Sequence, residues 1–320
     1  MDRPFMKTKK YFVTLFLLHH FAQAQPFLLP PSMPDENSMI QVLSQTSGLN
    51  SFNQRTYEIS EYFQETPYLL GPAGEGDQGD FDQKPLMIFD HFDCVTFIET
   101  VLSLARIEVL PNEKIQEIVK SNLINIKYNN QKISYQTRNH FTELDWINHQ
   151  IRTKFLKEIV QEINSSPKIQ KKIIHRQAWF FNKNLNDLFL PGLSPNELAQ
   201  KLIEFQNLGH NFPIMEQAEL NYLSWDQLMD PQIQHKIPLI SVFSLVRGDD
   251  LENPKPVMVS HQGFLINKPN GELVVRHASS GKNMKVVDEL LSDFIDRQKK
   301  LIKWPSLGFH LLSYDENTKH

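Results

Sequence analysis

One cysteine in 320 residues leaves this chain no internal disulfide, so its fold must be held by a hydrophobic core. Hydrophobic residues are 40% of the chain, enough for one large or two ordinary domains. The cysteine, Cys94, sits in Phe92-Asp93-Cys94-Val95-Thr96-Phe97-Ile98-Glu99. Asp93 can accept hydrogen bonds from backbone amides, and the residues that follow read as a helix over 94–107. The thiol would then lie at a helix N-terminus, where the positive end of the helix favours the nucleophilic thiolate. The alternative is a small buried hydrophobe, since cysteine is among the most buried residue types.

Residues 1–24 read as an address. Arg3, Lys7, Lys9 and Lys10 precede an apolar run from Tyr11 to Phe21, and Ala22-Gln23-Ala24 supplies the small-x-small pattern of signal cleavage. The run is short of the roughly 20 residues a membrane-spanning helix needs. A periplasmic or secreted protein beginning near Gln25 is expected, with no membrane segment after cleavage. Residues 1–24 carry four basic residues and one acidic, so their removal takes the formal charge from -4 to -7. Such a chain is ill suited to binding a phosphate backbone, so nucleic acid is not an expected partner. It contains no glycine-rich phosphate loop, no CxxC pair and no internal repeat.

Residues 25–55, rich in Pro, Ser, Asn and Gln, read as an extended lead-in to a single domain over 56–320. Gly71 to Asp80 has neither helical nor strand period and reads as a loop beside the cysteine motif. Beyond Cys94, helices are expected from residue 111 to 120, over 143–163 and over 194–207, where Ser194-Pro195-Asn196-Glu197 forms a capping box. A hairpin is expected around Asn129-Asn130. A helical insertion would thus occupy about 143–235.

The last third reads as strand: 239–246, 257–266, 273–278 and 309–314. Asn270-Gly271 marks a turn between the second and third. A loop of 267–271 would pair Ile266 with Glu272 and set His261 opposite His277; a register shifted by two would keep them diagonal neighbours on one face. Gly263 leaves room beside them. Cys94, His261 and His277 are therefore candidates for nucleophile, general base and orienting residue. Two alternatives stand beside this: incidental sheet histidines, and a zinc site drawn from His91, Asp93, Cys94, His261 and His277, which no CxxC or HExxH pair backs. No cofactor is expected.

The helix-tip cysteine followed by strand histidines resembles papain-like, NlpC-type cell-wall hydrolases. Three blocks narrow the resemblance to the secreted N-acetylmuramoyl-L-alanine amidase-like family. These are 92–99; Arg138-Asn139-His140-Phe141-Thr142-Glu143-Leu144-Asp145-Trp146-Ile147, in which Leu144 replaces a tryptophan; and Ser260-His261-Gln262-Gly263 with Arg276-His277-Ala278-Ser279-Ser280 and Val286-Val287-Asp288. They cover roughly residues 60–315 in order. The resemblance implies an α+β fold with the catalytic helix packed on an antiparallel sheet. It also implies muropeptide partners and hydrolysis of the amide between N-acetylmuramic acid, in its anhydro form, and L-alanine. It carries the roles of Cys94, His261 and His277 across. Arg138, Asn139, His140 and Trp146, with Asp93, are chemically suited to binding a sugar or carboxylate, and a structural turn is the alternative for 138–147. Rival functions are a peptidase cutting within the stem peptide, acyl transfer to an amine, and a non-catalytic glycan-binding module.

Overall fold

The computed structural model describes residues 32–111, 113–249, 255–281 and 283–316. The address segment and the start of the lead-in lie outside them. The rest of the lead-in is not extended but forms α1 (Glu36–Ser44) and α2 (Phe52–Tyr62). Asp35 and Ser51 cap these helices, and Met39, Val42 and Leu43 of α1 are buried. Their spacing of three and four makes a short amphipathic face that the polar composition concealed.

The Cys94 helix, α3 (Cys94–Ala105), and α4 (Ile115–Lys127) pack together. The hairpin expected around Asn129-Asn130 does not form. Ile115, Val119, Leu123 and Ile126 bury one helical face, so α4 runs on to Lys127, and a tight turn at 129–131 ends it. The helix expected over 143–163 is broken into a wide π turn (Thr142–Trp146), α5 (Ile147–Arg152), β1 (Lys157–Glu158) and α6 (Val160–Ile163). Lys154, at φ 57°, marks the break.

The segment expected to be helical also supplies β2 (Lys168–Ile174) and β3 (Glu216–Ser224), separated by α7 (Arg176–Phe181) and α8 (Pro195–Asn207). The Ser194 capping box is present as expected. After α9 (Trp225–Leu228) and α10 (Pro231–Gln234) come β4 (Ile240–Arg247), β5 (Val259–Asn267), β6 (Leu273–Ala278) and β7 (Val286–Leu290). The described chain closes with α11 (Leu291–Lys299) and β8 (Ser306–Ser313).

Among the described residues the strands form one eight-stranded antiparallel sheet of order β2-β3-β8-β4-β5-β6-β7, with β1 also on β8. Side chains alternate across it with period two. Val242, Phe264, Ile266, Val274 and Leu312 face the core shared with α1–α4. Phe243, Leu265, Val275, Phe309 and Leu311 face a second core closed by residues of α6, α9, α10 and α11. The sheet is thus covered on both faces, in a mixed α+β fold. No helix of the described residues is long and apolar enough to cross a membrane.

Candidate active site

Cys94 is the first residue of α3, and the helix start is fixed by a reciprocal capping box. Asp93 Oδ1 accepts the Thr96 N–H at 2.8 Å, and Thr96 Oγ1 accepts the Asp93 N–H at 2.9 Å. Asp93 Oδ2 also accepts the Gly71 N–H at 3.0 Å, which ties the glycine-rich loop to the cap. Asp93 therefore serves as a cap and a loop anchor. The thiol is not activated as the helix end alone would suggest. Burial, and then the Asp93 carboxylate, push it up to about 12, against smaller opposing effects of the N–H groups of Gln262, Val95 and Cys94 itself. The loss of hydration outweighs the helix end, so the sulfur is protonated at rest.

The Gln262 N–H that faces the sulfur belongs to the residue after His261. On the neighbouring strand, Phe264 pairs with Arg276 and Ile266 with Val274. The register is thus two residues away from the pairing of Ile266 with Glu272, because the connection begins one residue later, at Lys268, whose N–H bonds Glu272 O at 2.9 Å. A shift of two preserves the face, and His261 Nε2 and His277 Nδ1 meet diagonally at 2.7 Å. The β5–β6 ladder runs from Phe264–Arg276 to Asn267–Leu273, so both histidines stand where it has ended. Gly263 is what admits them: a Cβ there would lie 2.8 Å from His277 Cβ and 2.7 Å from Arg276 O.

Burial holds the His261 imidazole well below its usual pKa, helped by His277, Arg297 and Arg247. Burial lowers His277 too, against the hydrogen bond and charge of Glu289. Both rings are neutral near pH 7. With Nε2 of His261 engaged by His277, Nδ1 is the nitrogen left for the thiol. Among the described residues no hydrogen bond joins Cys94 to His261 in this resting arrangement.

The 138–147 block holds the frame. Arg138 donates to Ala73 O at 3.1 Å and lies 3.5 Å from the Asp82 carboxylate, pinning the loop after Gly71. The Asn139 amide donates to Ile126 O, His140 Nε2 meets Tyr135 O at 2.7 Å, and Trp146 is fully buried. Asn139 and Trp146 thus lie in the core and present no surface to a ligand. The block also reaches the site: Thr142 Oγ1 is 3.3 Å from Gln262 Oε1, and the Glu143 carboxylate accepts the Met258 N–H at 2.6 Å, just before β5.

Several residues at the site were not evident from sequence. Tyr68 is pushed up to about 12 by burial and by its nearness to Cys94 and Asp93, and its phenol bonds Ser280. Its backbone bridges Phe92, which places it beside the cysteine motif. Glu289 Oε2 lies 3.5 Å from His277 Nε2 and is gripped by Arg297 at 2.6 and 3.0 Å. Reading 286–290 as a strand would have put Glu289 on the face of His277. No three His, Cys, Asp or Glu side chains among the described residues are grouped as a metal would need, and His91 faces Asp90 at 3.5 Å.

Fold and site define an α+β protein with a helix-tip thiol and a histidine pair, His277 buried and His261 partly exposed, on an antiparallel sheet. Residues 58–302 match the AmiA-like family, described as N-acetylmuramoyl-L-alanine amidase-like, and the chain belongs to that family. A Legionella pneumophila protein of the DUF1460 family is similar over 87% of this chain and 93% of its own, at 29% identity and TM-score 0.77. An N-acetylmuramoyl-L-alanine amidase of Bacteroides uniformis shares the fold over 82% of this chain and 99% of its own, at 21% identity and TM-score 0.54. A Bacteroides fragilis protein named as a xylanase candidate aligns over 79% of this chain and 98% of its own, at 27% identity and TM-score 0.55. Among curated proteins no relative matches the chain.

Proposed function

We propose that this protein is a thiol amidase that cuts the bond between the lactyl group of N-acetylmuramic acid, in its anhydro form, and L-alanine in soluble muropeptides. Membership of the amidase-like family supports the reaction class. The observation that carries the mechanism is the 2.7 Å His261–His277 contact, next to the Gln262 N–H that faces a helix-tip thiol. A retaining glycosidase, the xylanase alternative, would need two carboxyl groups about 5 Å apart across the scissile bond; this centre offers a thiol and imidazoles. We read the arrangement as NlpC-type and residues 56–320 as one domain, to which the lead-in adds α1 and the start of α2. Residues 1–24 support action in the periplasm or beyond it.

In this reading the Cys94 proton passes to His261 Nδ1 as Sγ attacks the lactyl carbonyl carbon. The neutral resting pair makes this transfer part of the attack. The oxyanion is met by the Cys94 N–H at the start of α3 and by the Tyr68 phenol. His261 then returns the proton to the L-alanine nitrogen as the C–N bond breaks, leaving a thioester. Water, deprotonated by His261, attacks the thioester, and the carboxylate leaves with Cys94 again a thiol. His277 holds the ring of His261 throughout. The cradle of Asp93, Gly71 and the loop that Arg138 pins forms the substrate side of the site; the exposed edges of Arg138 and His140 are the parts of the 138–147 block that can meet a ligand.

The test is mass spectrometry of products from a soluble anhydro-muropeptide, with Cys94→Ala in parallel. Wild type alone should release free anhydro-sugar and intact stem peptide. Cuts inside the stem peptide would move the reaction to a peptidase, and no product from this substrate or intact wall would overturn the amidase reading.

A further inference from the structure

The carboxylate behind the histidine pair has no part in the chemistry described so far. His277 and Glu289 lie on adjacent strands, where His277 pairs with Val287 and Val275 with Glu289, so the two are diagonal neighbours on one face. His277 Nε2 is buried and faces Glu289 Oε2 at 3.5 Å, a stretched contact and the one its position offers, with no closer hydrogen-bond partner among the described residues. Arg297, projecting from α11, clamps both oxygens of Glu289 from the far side. Phe294 of the same helix sets its ring edge-on to His277 at 5.6 Å, closing the pocket. The result is a row running Arg297, Glu289, His277, His261, and the residue after His261, Gln262, turns its N–H toward the Cys94 thiol.

We propose that Glu289 is a positioning residue that sets the protonation pattern of both histidines and balances the positive charge formed when His261 takes the thiol proton. The inference rests on the thiol mechanism proposed above. A carboxylate can only accept. It therefore requires the proton of His277 on Nε2, which leaves Nδ1 as an acceptor. The 2.7 Å contact then requires the proton of His261 on Nε2, which leaves the lone pair on Nδ1, the nitrogen that must receive the proton from sulfur. No other arrangement of the two neutral rings makes both contacts. Although burial opposes ionisation of Glu289, the hydrogen bonds from His277 and Arg297 and the charge of Arg297 hold it down at about 2, so the carboxylate is charged at any working pH. The 3.5 Å link is long for a neutral hydrogen bond and shortens once the ring is cationic.

His261 feels His277, Arg297 and Arg247, and His277 feels Glu289, Arg297 and Asp288, while Cys94 feels Asp93. Glu289 favours an imidazolium in this setting, and Arg297 and Arg247 oppose one. Neutralising Glu289 must lower the pKa of the pair, and neutralising Arg297 must raise it. The reactive thiolate–imidazolium form is an isomer of the resting neutral pair. Its population changes by as many powers of ten as the imidazole pKa moves in units, for a fixed thiol.

The experiment is the rate of Cys94 alkylation by iodoacetamide against pH, in the full chain, for wild type, Glu289→Gln and Arg297→Gln, with muropeptide turnover measured beside it. Glu289→Gln should move the acid limb to lower pH and lower the plateau, about tenfold for each unit moved. Arg297→Gln should move the limb to higher pH and raise the plateau. Turnover in Glu289→Gln should fall in kcat with KM unchanged. If both variants leave the alkylation profile in place, or move it in the same direction, the inference is overturned. If Glu289→Gln does not fold, the upward shift in Arg297→Gln carries the test alone. Alkylation needs no substrate: opposite shifts without muropeptide cleavage would sink the amidase reading and leave the relay standing.

Discussion

Replacing Gly263 by alanine tests how tightly the site is built into the sheet. The added Cβ would lie 2.7 Å from Arg276 O, 2.8 Å from His277 Cβ and 2.8 Å from Phe243 Cε1. Two of these three atoms are a backbone carbonyl and a Cβ, which cannot swing aside as a side-chain tip can. Ordinary contact begins at 3.4 Å, so β6 must withdraw from β5 by roughly 0.7 Å. Overpacking of this kind costs about 1–3 kcal/mol, and with rigid neighbours the upper end applies. The same movement stretches the His261–His277 contact, and a misplacement near 1 Å at a reacting centre costs on the order of 10²-fold in rate. Gly271→Ala is the control: it sits at φ 82° with open space around it, so it is strained but remote. It should cost about 1–2 kcal/mol and leave kcat alone. Urea titration gives the stability of each variant, and muropeptide turnover, at a temperature where both are folded, gives the rate. The reasoning fails if Gly263→Ala unfolds no more easily than Gly271→Ala, or if it turns substrate over as fast.

Other outcomes follow from the same geometry. Cys94→Ser should retain the urea midpoint and lose at least about 10³-fold in kcat, and a chelator should leave wild-type turnover untouched; turnover abolished by chelation would replace the thiol mechanism with a metal one. Tyr68→Phe should lower kcat by roughly 10²-fold with little change in KM, as loss of one oxyanion donor does; an unchanged kcat would take the phenol out of the reaction. Burial pushes the Glu143 carboxyl up to about 7 from 4.5, despite the N–H groups of Met258, Glu143 and Val259 that it accepts. Its folded pKa lies above its unfolded one, so its stabilising contribution is complete below about 4.5 and lost as pH rises through about 7. Glu143→Gln should flatten the decline in stability across that window in denaturation series at several pH values. Arg276 is fully buried, bonded to both oxygens of Asp288 and to Ser60 Oγ and Tyr57 O of α2. Arg276→Met should cost about 3 kcal/mol by leaving Asp288 unpaired, and a loss within the error of the urea titration would show that the pair is dispensable.

The parts of the site that were legible in the sequence are those written locally. Asp93 and Thr96 define the start of α3 within four residues, and the near-continuous apolar runs of β4 to β6 mark strands covered on both faces. The histidine pairing was legible as a face but not as a register, because moving the connection one residue along the chain shifts the pairing by two and keeps parity. Long-range partners left weaker marks. In β2 the run Lys168-Ile-Gln-Lys-Lys-Ile-Ile174 is an edge strand with lysines on it, and its polar side chains mask its period. The broken segment around Lys154 looks continuous because its apolar residues serve different elements. The helix end alone does not set the thiol pKa, because the desolvation of the sulfur and the Asp93 carboxylate oppose it. Glu289 escaped notice because its meaning comes from His277 and Arg297, on two other elements.

Cys94 precedes His261 by more than 160 positions, and the sheet segment that carries the histidines is nearly the last to be made. The proposed nucleophile and its base are thus made far apart in time. A nascent or unfolded chain holds an ordinary, protonated thiol with neither His261 nor His277 near it. Only when β5 and β6 dock against α3, and α11 brings Arg297 to Glu289, is the proposed reacting centre assembled. On that reading the reactivity of the thiol reports that the fold is complete, because it depends on elements far apart in the chain.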